Sequence, residues 1–222
     1  MSTANRLPAA PGRQAPAKFP AGAYPSTGAF FGAYAQELMR AAGTVDPAAM
    51  DQAAEILLAA HARDATIFSC GNGGSAAIAN HLQCDHLKGV RVGTELTPRV
   101  VSLSNSSELL TAIANDLGYE EVFSYQLESQ SRPGDVVIAV SSSGGSPNIV
   151  RALTWAREHG LRTIAITGFT GGQARELAET AIHVDATNYG IIEDLHQAIM
   201  HSLAQSVRMS QMAPEAISAS IF

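Results

Sequence analysis

Five short apolar segments, most of them followed by helical stretches, constrain the fold of this chain more than any other feature. The first four are nearly continuous apolar runs, which is typical of parallel strands covered by helices on both faces. The sequence therefore predicts an α/β fold, a three-layer α/β/α sandwich around a mostly parallel five-stranded sheet. The segments are "ATIFSC" at 65–70, "RVVSLS" at 99–104, "GDVVIAVS" at 134–141, "RTIAITG" at 162–168 and "AIHVD" at 181–185.

Helical patterns flank this series of strands. Residues 29–43 and 46–64 have apolar positions at helical spacing, and Asp46 followed by Pro47 is a typical cap and first helical residue. A last helix is predicted over about 190–209, with one apolar face. The resulting arrangement is flavodoxin-like, with two leading helices ahead of the sheet.

The N-terminal segment differs from the rest of the chain. Residues 1–27 are rich in proline and alanine, contain no acidic residue and lack the apolar core of a secretory signal. A transit peptide is an alternative, but the prolines oppose an amphipathic helix. We expect a disordered tail at 1–27 and a single domain at 28–222, whose two leading helices serve oligomerisation.

Charge and composition exclude several classes of partner. A net charge of -6 and a pI near 5.6 argue against binding to nucleic acid or to an anionic membrane surface. The sequence has no uninterrupted apolar stretch of roughly 18 residues and only two cysteines, Cys70 and Cys84. Charged residues make up 15%, so part of the surface is expected to be covered in an oligomer. These features predict a cytoplasmic protein that binds a small polar ligand.

Two loops follow predicted strands at the edge of the sheet where ligands bind. "GNGGS" at 71–75 allows a sharp turn and presents backbone N–H groups at the start of a helix, where an anion is favoured. "SSSGGSPN" at 141–148 adds hydroxyl groups, with Ser146 and Pro147 as the expected helix start. Hydroxyls and amides can hold a phosphate without a lysine. The alternative is that both loops are only turns and caps.

The first loop also matches a dinucleotide-binding pattern loosely. Gly71, Gly73 and Ala76 fit G-x-G-x-x-A. A ribose-binding acidic residue should then close the second strand, but "RVVSLSNSS" ends in serine and asparagine. The sequence therefore disfavours NAD.

Two helices each offer a carboxylate and an imidazole. His81 and Asp85 are four residues apart and share one helix face, while Glu193 and His201 are eight residues apart on the last helix. If the helices face each other, these four residues would suit a divalent metal such as Zn²⁺.

Other interpretations of these polar residues remain open. In the simplest one, His86 and His196 are surface residues and the four proposed ligands are ordinary polar groups of helices. Asn115 and Asp116, in "IANDLGY", either face a substrate or end a helix.

The ordered motifs "GNGGS", "NDLGY", "GDVV", "SSSGGSPN" and "EDLHQAIMH" resemble those of the sugar isomerase (SIS) superfamily. The chain is most similar to the family of sedoheptulose-7-phosphate isomerases, or phosphoheptose isomerases, over about residues 30–209. The resemblance implies aldose–ketose isomerisation of a seven-carbon sugar phosphate, which supplies heptose for lipopolysaccharide, capsule or other glycans. It also implies a homotetramer with active sites between subunits and, as in several members, one bound Zn²⁺.

The resemblance carries over to individual residues. Asp85 is implied as the catalytic base, and His201 as the group that assists ring opening or moves the oxygen proton. A metal on His81, Asp85, Glu193 and His201 would polarise the carbonyl. The substrate would contact Asn72, Gly73 and Ser75 in the first loop, Ser141, Ser142, Ser143 and Ser146 in the second, and Asn115 and Asp116.

This chain departs from the family pattern at several positions. Asp85 stands in place of a glutamate and is one methylene shorter, and Glu193 stands in place of a glutamine. Substrate-binding aspartates of the family align with "SNSS" and near Gly190. A different sugar phosphate or a different stereochemical outcome is therefore an alternative to the family's usual reaction.

Two alternatives to this isomerase belong to the same superfamily. One is a non-catalytic SIS module that binds a phosphosugar or another protein, resembling the regulators of replication initiation. Such a module has no need of paired acids and imidazoles, so the sequence favours the enzyme. The other is a phosphosugar lyase or etherase, but those proteins are generally longer.

Overall fold

The computed structural model describes residues 18–222. The tail predicted for residues 1–27 lies in large part outside the described residues. Within its last portion, the ring of Phe19 stacks on Phe30 and contacts Tyr24 and Tyr34. Phe19 also packs against the main hydrophobic core.

Helices and strands alternate along the described residues as the apolar pattern predicts. A π-helix, Asp85–Val90, continues directly from the helix that ends at Cys84, and a 3-10 turn, Tyr119–Glu121, follows the helix that ends at Asp116. The elements are α1 (Thr27–Ala42), α2 (Pro47–Ala62), β1 (Thr66–Gly71), α3 (Gly74–Cys84), β2 (Arg99–Ser102), α4 (Ser107–Asp116), α5 (Ser124–Gln130), β3 (Val136–Ser141), α6 (Pro147–Glu158), β4 (Arg162–Thr167), α7 (Gly172–Leu177), β5 (Thr180–His183), α8 (Tyr189–Met209) and α9 (Pro214–Ser218).

The five strands form one sheet in the order β2-β1-β3-β4-β5, and every neighbouring pair is parallel. In the register, Ile67 of β1 lies beside Val100 of β2 and Val136 of β3. The order reverses beside β1, which places the β1 and β3 loops at the point where doubly wound sheets bind ligands. The predicted parallel sheet and three-layer fold are confirmed.

Two hydrophobic cores cover the two faces of the sheet. On one face, Ile67 and Ile164 pack with residues of α2, α3 and α8. On the other face, Phe68 and Ala165 pack with residues of α4, α5 and α6. Since neighbouring residues of one strand are buried on opposite faces, the strands appear in the sequence as continuous apolar runs.

The predicted helix starts at Pro47 and Pro147 are correct. The Asp46 carboxylate accepts a hydrogen bond from the N–H of Ala48 and caps α2. Ser146 is the N-cap residue of α6, but its hydroxyl makes no capping hydrogen bond. The Ser146 side chain therefore stays available at a helix N-terminus, where the dipole favours an anion.

The longest helix of the described residues is α8, with 21 residues. Its buried face includes Ile192, Leu195, Ile199 and Leu203, and it packs against α2 and α3. Within residues 18–222, no helix combines the length and apolar character needed to cross a membrane.

Candidate active site

The two loops identified in the sequence lie side by side and are joined by an amide pair. The side-chain N–H of Asn72 donates to Oδ1 of Asn148 at 2.9 Å, and that of Asn148 donates to Oδ1 of Asn72 at 2.9 Å. The hydroxyl of Tyr119 donates to the same Asn72 oxygen at 2.9 Å. Asn72 is therefore held from two directions beside Gly73, the N-cap residue of α3.

The second loop, residues 141–148, is called the serine loop below, and its hydroxyl groups differ in whether they have hydrogen-bond partners. Ser141 accepts the N–H of Gly144 at 3.1 Å, and Ser143 accepts that of Gly145 at 3.4 Å. The Ser142 hydroxyl oxygen is buried and has no hydrogen-bond partner among the described residues. A buried hydroxyl without a partner carries a desolvation cost, which a bound oxyanion would relieve.

Gly144 allows the serine loop to pack closely on the loop that follows β4. Its φ of +64° is favoured by glycine, and a Cβ at this position would lie 1.8 Å from the carbonyl oxygen of Gly171. The carbonyl of Gly144 accepts the N–H of Ala174 at 2.9 Å. The backbone of the serine loop is thus fixed by its neighbour.

His81, Asp85 and His201 form a cluster where the end of α3 meets α8. His201 Nδ1 lies 2.5 Å from Asp85 Oδ2, and His81 Nε2 lies 3.3 Å from Asp85 Oδ1. The two imidazole rings are nearly perpendicular, with centroids 4.9 Å apart. One possible ligand atom from each residue lies within 4.8 Å of the others.

Glu193 is not part of this cluster within one copy of the chain. Its carboxylate lies against Gly74, where a Cβ would meet the Glu193 side chain at 2.4 Å. Glu193 precedes His201 by eight positions, about 12 Å along the axis of α8. A ligand from Glu193 to the same ion would have to come from a second copy of the chain.

Gln197 is a cluster member that the predicted site set does not include. Its side-chain nitrogen lies 3.2 Å from His81 Nδ1 and 2.8 Å from His201 Nε2. Gln197 is one turn before His201 on α8, so the four-residue spacing places it on the same face. That spacing was a signal that sequence analysis could have used.

The π-helix begins at Asp85 and buries the next residue. The His86 side chain is 1% exposed and stacks against His61, with ring centroids 5.7 Å apart. Burial lowers the pKa of His86 to about 3, with a further contribution from His61.

Burial also lowers the pKa of the fully buried His196 to about 4. The expectation that His86 and His196 lie on the surface was wrong.

Asn115 and Asp116 lie at the exposed C-terminal end of α4. The side-chain amide of Asn115 donates to the Asp116 carboxylate at 2.8 Å. The sequence left open whether these residues face a substrate or end a helix, and in the structure they are the last two residues of α4. Tyr119, three residues after Asp116, makes the hydrogen bond from this region to Asn72 in the loop at 71–75.

The start of α8 is anchored by the first helix. The Tyr34 hydroxyl donates to Asp194 at 2.7 Å, and a Cβ on Gly190 would lie 2.9 Å from the same hydroxyl oxygen. Burial raises the pKa of Tyr34, and the hydrogen bond to Asp194 and the charge of Glu193 raise it further. The Tyr34 hydroxyl thus stays protonated and keeps α1 against α8.

A cavity of about 320 Å³ opens beside Asp85 and His201. Arg208 lines this cavity and is 6% exposed. Its Nε donates to the carbonyl of Val92, and its guanidinium group stacks over the ring of Phe222. The volume lies within the usual range for small-molecule pockets. The cavity is lined by Asp85, Gly89, Val90, His201, Ala204, Gln205, Arg208 and Phe222.

The chemistry of the cluster suits a divalent metal. Two imidazoles and one carboxylate, on side chains that are only partly buried, are the donor types of three-ligand catalytic Zn²⁺ sites that keep a position open. The imidazole nitrogens would donate lone pairs, and the carboxylate would offset part of the charge of the ion. His81, Asp85 and His201 therefore fit the group.

Comparison with known proteins decides the family. Residues 30–168 match the SIS domain family. The phosphoheptose isomerase of Mycobacterium tuberculosis (strain ATCC 25177 / H37Ra) is 39% identical over 158 residues, which is 71% of this chain and 80% of that protein. The chain belongs to the phosphoheptose isomerase family of SIS domain proteins. It is therefore an isomerase of the aldose–ketose type.

Two further phosphoheptose isomerases extend this relationship. That of Akkermansia muciniphila is 43% identical over 143 residues, covering 64% of this chain and 74% of that protein. The solved structure of phosphoheptose isomerase from Neisseria gonorrhoeae has a TM-score of 0.74 and 32% identity, and the match covers 81% of this chain and 97% of that one. The SIS match contains both loops, His81 and Asp85, whereas α8 with His201 lies beyond its end.

Proposed function

We propose that this phosphoheptose isomerase family member interconverts sedoheptulose 7-phosphate and D-glycero-D-manno-heptose 7-phosphate. The main support for this proposal is the contact between Asp85 and His201. The Asp85 Oδ2 and His201 Nδ1 atoms are 2.5 Å apart, and both residues line a cavity. A carbonyl shift between C1 and C2 needs a base at carbon and a proton donor at oxygen. These two side chains supply both groups. The product would provide heptose for lipopolysaccharide, capsule or other glycans.

The serine loop is the proposed phosphate site. Ser141, Ser142, Ser143 and Ser146 surround the start of α6, where N–H groups and the helix dipole favour an anion. The buried Ser142 hydroxyl lacks a partner, and the Ser146 hydroxyl makes no capping bond. Hydroxyls without a counter-charge suit a phosphate that must also be released. Asn72, Gly73 and Ser75 would then line the sugar chain, with Asn115 and Asp116 as further candidates.

In the proposed reaction, Asp85 removes a proton from C1 of the open-chain ketose. The carbonyl oxygen on C2 takes a proton from His201, which gives an enediol. The proton is then returned to C2, while the oxygen on C1 loses its proton and becomes the aldehyde. The reaction is balanced, because one proton leaves and one returns at carbon and at oxygen.

A divalent metal such as Zn²⁺, held by His81, Asp85 and His201, would supply Lewis acidity toward the carbonyl. His81 would contribute a second imidazole, whose Nε2 lies 3.3 Å from Asp85 Oδ1 and whose ring contacts that of His201. Because Asp85 is shorter than the family's glutamate, the reacting carbon has to approach the backbone of α3 more closely than it would with the longer side chain.

We also propose a homotetramer in which α1 and α2 contribute to the interface. Phe31 and Met39 of α1 are 70% and 73% exposed in one copy of the chain. Large exposed apolar side chains on a helix are typical of a surface that another chain covers. In addition, a metal ligand from Glu193 would have to come from another copy of the chain. Size-exclusion chromatography with light scattering tests this, and a monomer in solution would contradict it.

The experiment for the reaction follows turnover by NMR. Purified protein supplied with Zn²⁺ is incubated with sedoheptulose 7-phosphate and, in parallel, with a panel of six- and seven-carbon ketose phosphates in D₂O. We expect aldose formation from a seven-carbon substrate and deuterium incorporation at carbon. The Asp85→Asn variant is the control and should show neither.

The alternative binding module predicts a different result in the same assay. No turnover and no deuterium incorporation with any ketose phosphate, by a protein that keeps its oligomeric state, would overturn the isomerase proposal. The non-catalytic SIS module would then be the better interpretation.

A further inference from the structure

Four side chains of the cluster form a closed ring of polar contacts. The nitrogens of the two imidazoles that face Asp85 are His81 Nε2, at 3.3 Å, and His201 Nδ1, at 2.5 Å. Their opposite nitrogens, His81 Nδ1 and His201 Nε2, face the Gln197 amide at 3.2 and 2.8 Å. Each imidazole therefore lies between a carboxylate and an amide.

The chemistry of these groups restricts where the protons lie. A neutral imidazole has one N–H donor and one acceptor nitrogen, and an ionised carboxylate only accepts. If Gln197 directs its NH₂ group at both rings when no cation is bound, the nitrogens that face it are acceptors and each imidazole N–H points toward Asp85. The NH₂ group of Gln197 has two hydrogens, so it can donate to both histidines. One amide thus selects the tautomer of two residues.

A cation beside Asp85 requires the opposite arrangement. Imidazole binds a metal through a nitrogen that carries no proton. The protons must then lie on His81 Nδ1 and His201 Nε2, where they face Gln197. The amide must turn its carbonyl oxygen toward the rings, because that oxygen has two lone pairs and can accept from both.

We propose that Gln197 is a positioning residue whose amide orientation couples the tautomers of His81 and His201 to cation occupancy beside Asp85. The inference rests on the proposed cation role of the cluster. In one orientation both imidazole N–H groups face Asp85, with a hydrogen bond from His201 and a longer contact from His81, and in the other both imidazoles present acceptor nitrogens to a cation. A residue that holds the non-ligating nitrogen of a metal-binding histidine typically contributes about 10- to 100-fold to metal affinity.

The test measures tautomers directly by NMR of protein with ¹⁵N-labelled histidine, at about pH 8 so that exposed imidazoles are neutral. In the metal-free wild type we expect protons on His81 Nε2 and His201 Nδ1. After addition of Zn²⁺ we expect both protons on the opposite nitrogens, His81 Nδ1 and His201 Nε2. Unchanged tautomers after Zn²⁺ binding would overturn the proposal.

Substitutions at Gln197 distinguish the effect of its amide group from the effect of its side-chain packing on α8. Gln197→Leu removes the amide, and Gln197→Met is a second substitution of similar length. Both should leave the metal-free histidines as tautomer mixtures and weaken Zn²⁺ binding, measured by chelator competition, about 10- to 100-fold. Gln211→Leu, at an exposed position just after the end of α8 and outside the cavity, should match the wild type. Equal affinity in all four proteins would contradict the role of Gln197.

The results also distinguish this inference from the proposed function. A wild type that binds no Zn²⁺ overturns the coupling, while turnover of a ketose phosphate would still support the isomerase. A Zn²⁺-dependent change of tautomers in a protein without turnover supports the coupling and contradicts the isomerase.

Discussion

The Nδ1 atom of His201 lies 2.5 Å from Oδ2 of Asp85, although 116 positions separate the two residues. The packing of α8 against α3 and the π-helix brings them together. Asp85 is 21% exposed and His201 is 38% exposed, so both side chains are anchored yet accessible from the neighbouring cavity. A base and a proton donor with this access can act on adjacent atoms of one small substrate.

The first prediction concerns the Asp85 carboxylate. Asp85→Asn keeps the size of the side chain and removes the base, so isomerase turnover should fall about 10²- to 10⁴-fold. Steady-state kinetics with the active ketose phosphate measures this loss, and circular dichroism should show an unchanged fold. Asp51→Asn, at an exposed position of α2, is the matched control and should keep wild-type turnover. A near wild-type rate for Asp85→Asn would refute the assignment of the base.

The second prediction concerns the Ser142 hydroxyl, which is buried without a partner. Ser142→Ala removes an unsatisfied polar group, so the free energy of unfolding without ligand should stay equal or rise by up to about 1 kcal/mol. The KM for the sugar phosphate should rise about fivefold to tenfold, because one phosphate hydrogen bond is lost. Urea unfolding and steady-state kinetics measure the two effects.

Ser131 provides the control for this experiment. Its hydroxyl oxygen is also buried without a partner in the described part of the chain, but it follows α5, away from the serine loop. Ser131→Ala should resemble Ser142→Ala in stability and leave the KM unchanged. An unchanged KM for Ser142→Ala would remove Ser142 from the phosphate site.

The third prediction compares two adjacent glycines. Gly144→Ala places a Cβ 1.8 Å from the carbonyl oxygen of Gly171 at a φ of +64°, so the serine loop must move. We expect a loss of at least about 2 kcal/mol in the free energy of unfolding and weaker binding of sugar phosphate. Gly145→Ala meets nothing within 4 Å, so it should cost less than about 0.5 kcal/mol. Equal stability of the two variants in thermal unfolding would contradict the close approach of these loops.

Much of the fold could be predicted because its signals are local. Apolar runs such as "VVIAV" follow from burial on both faces of a parallel sheet, and Asp46 with Pro47 marks a helix start through local hydrogen bonding. The approach of His81, Asp85 and His201 could be proposed from helical spacing and family resemblance together. Spacing alone gives the face of each helix but does not say which helices pack together.

The features that sequence did not predict depend on tertiary packing. The π-helix at Asp85–Val90 changes the hydrogen-bond spacing without a composition signal of its own. His86 and His196 are buried because other elements surround them, and histidine is intermediate in burial, so its residue type alone does not predict this.

The last prediction concerns the pH dependence of folding through His196. The pKa of His196 is lowered to about 4, mainly by burial and in part by nearby His183, while the backbone of Thr167 opposes the shift; the unfolded pKa is near 6.5. Between these two values the unfolded state binds the extra proton, so stability falls as the pH falls and does not change above the unfolded pKa. The slope from this one residue approaches about 1.4 kcal/mol per pH unit.

His196→Leu should therefore flatten the curve of unfolding free energy against pH between about pH 6.5 and pH 4. Urea unfolding at a series of pH values gives this curve. Gln36→Leu, at an exposed position of α1, removes no titratable group and is the control, so its curve should stay parallel to that of the wild type in this window. If His196→Leu instead runs parallel to the wild type, His196 takes up its proton equally well in both states, and its burial does not govern the acid sensitivity of the fold.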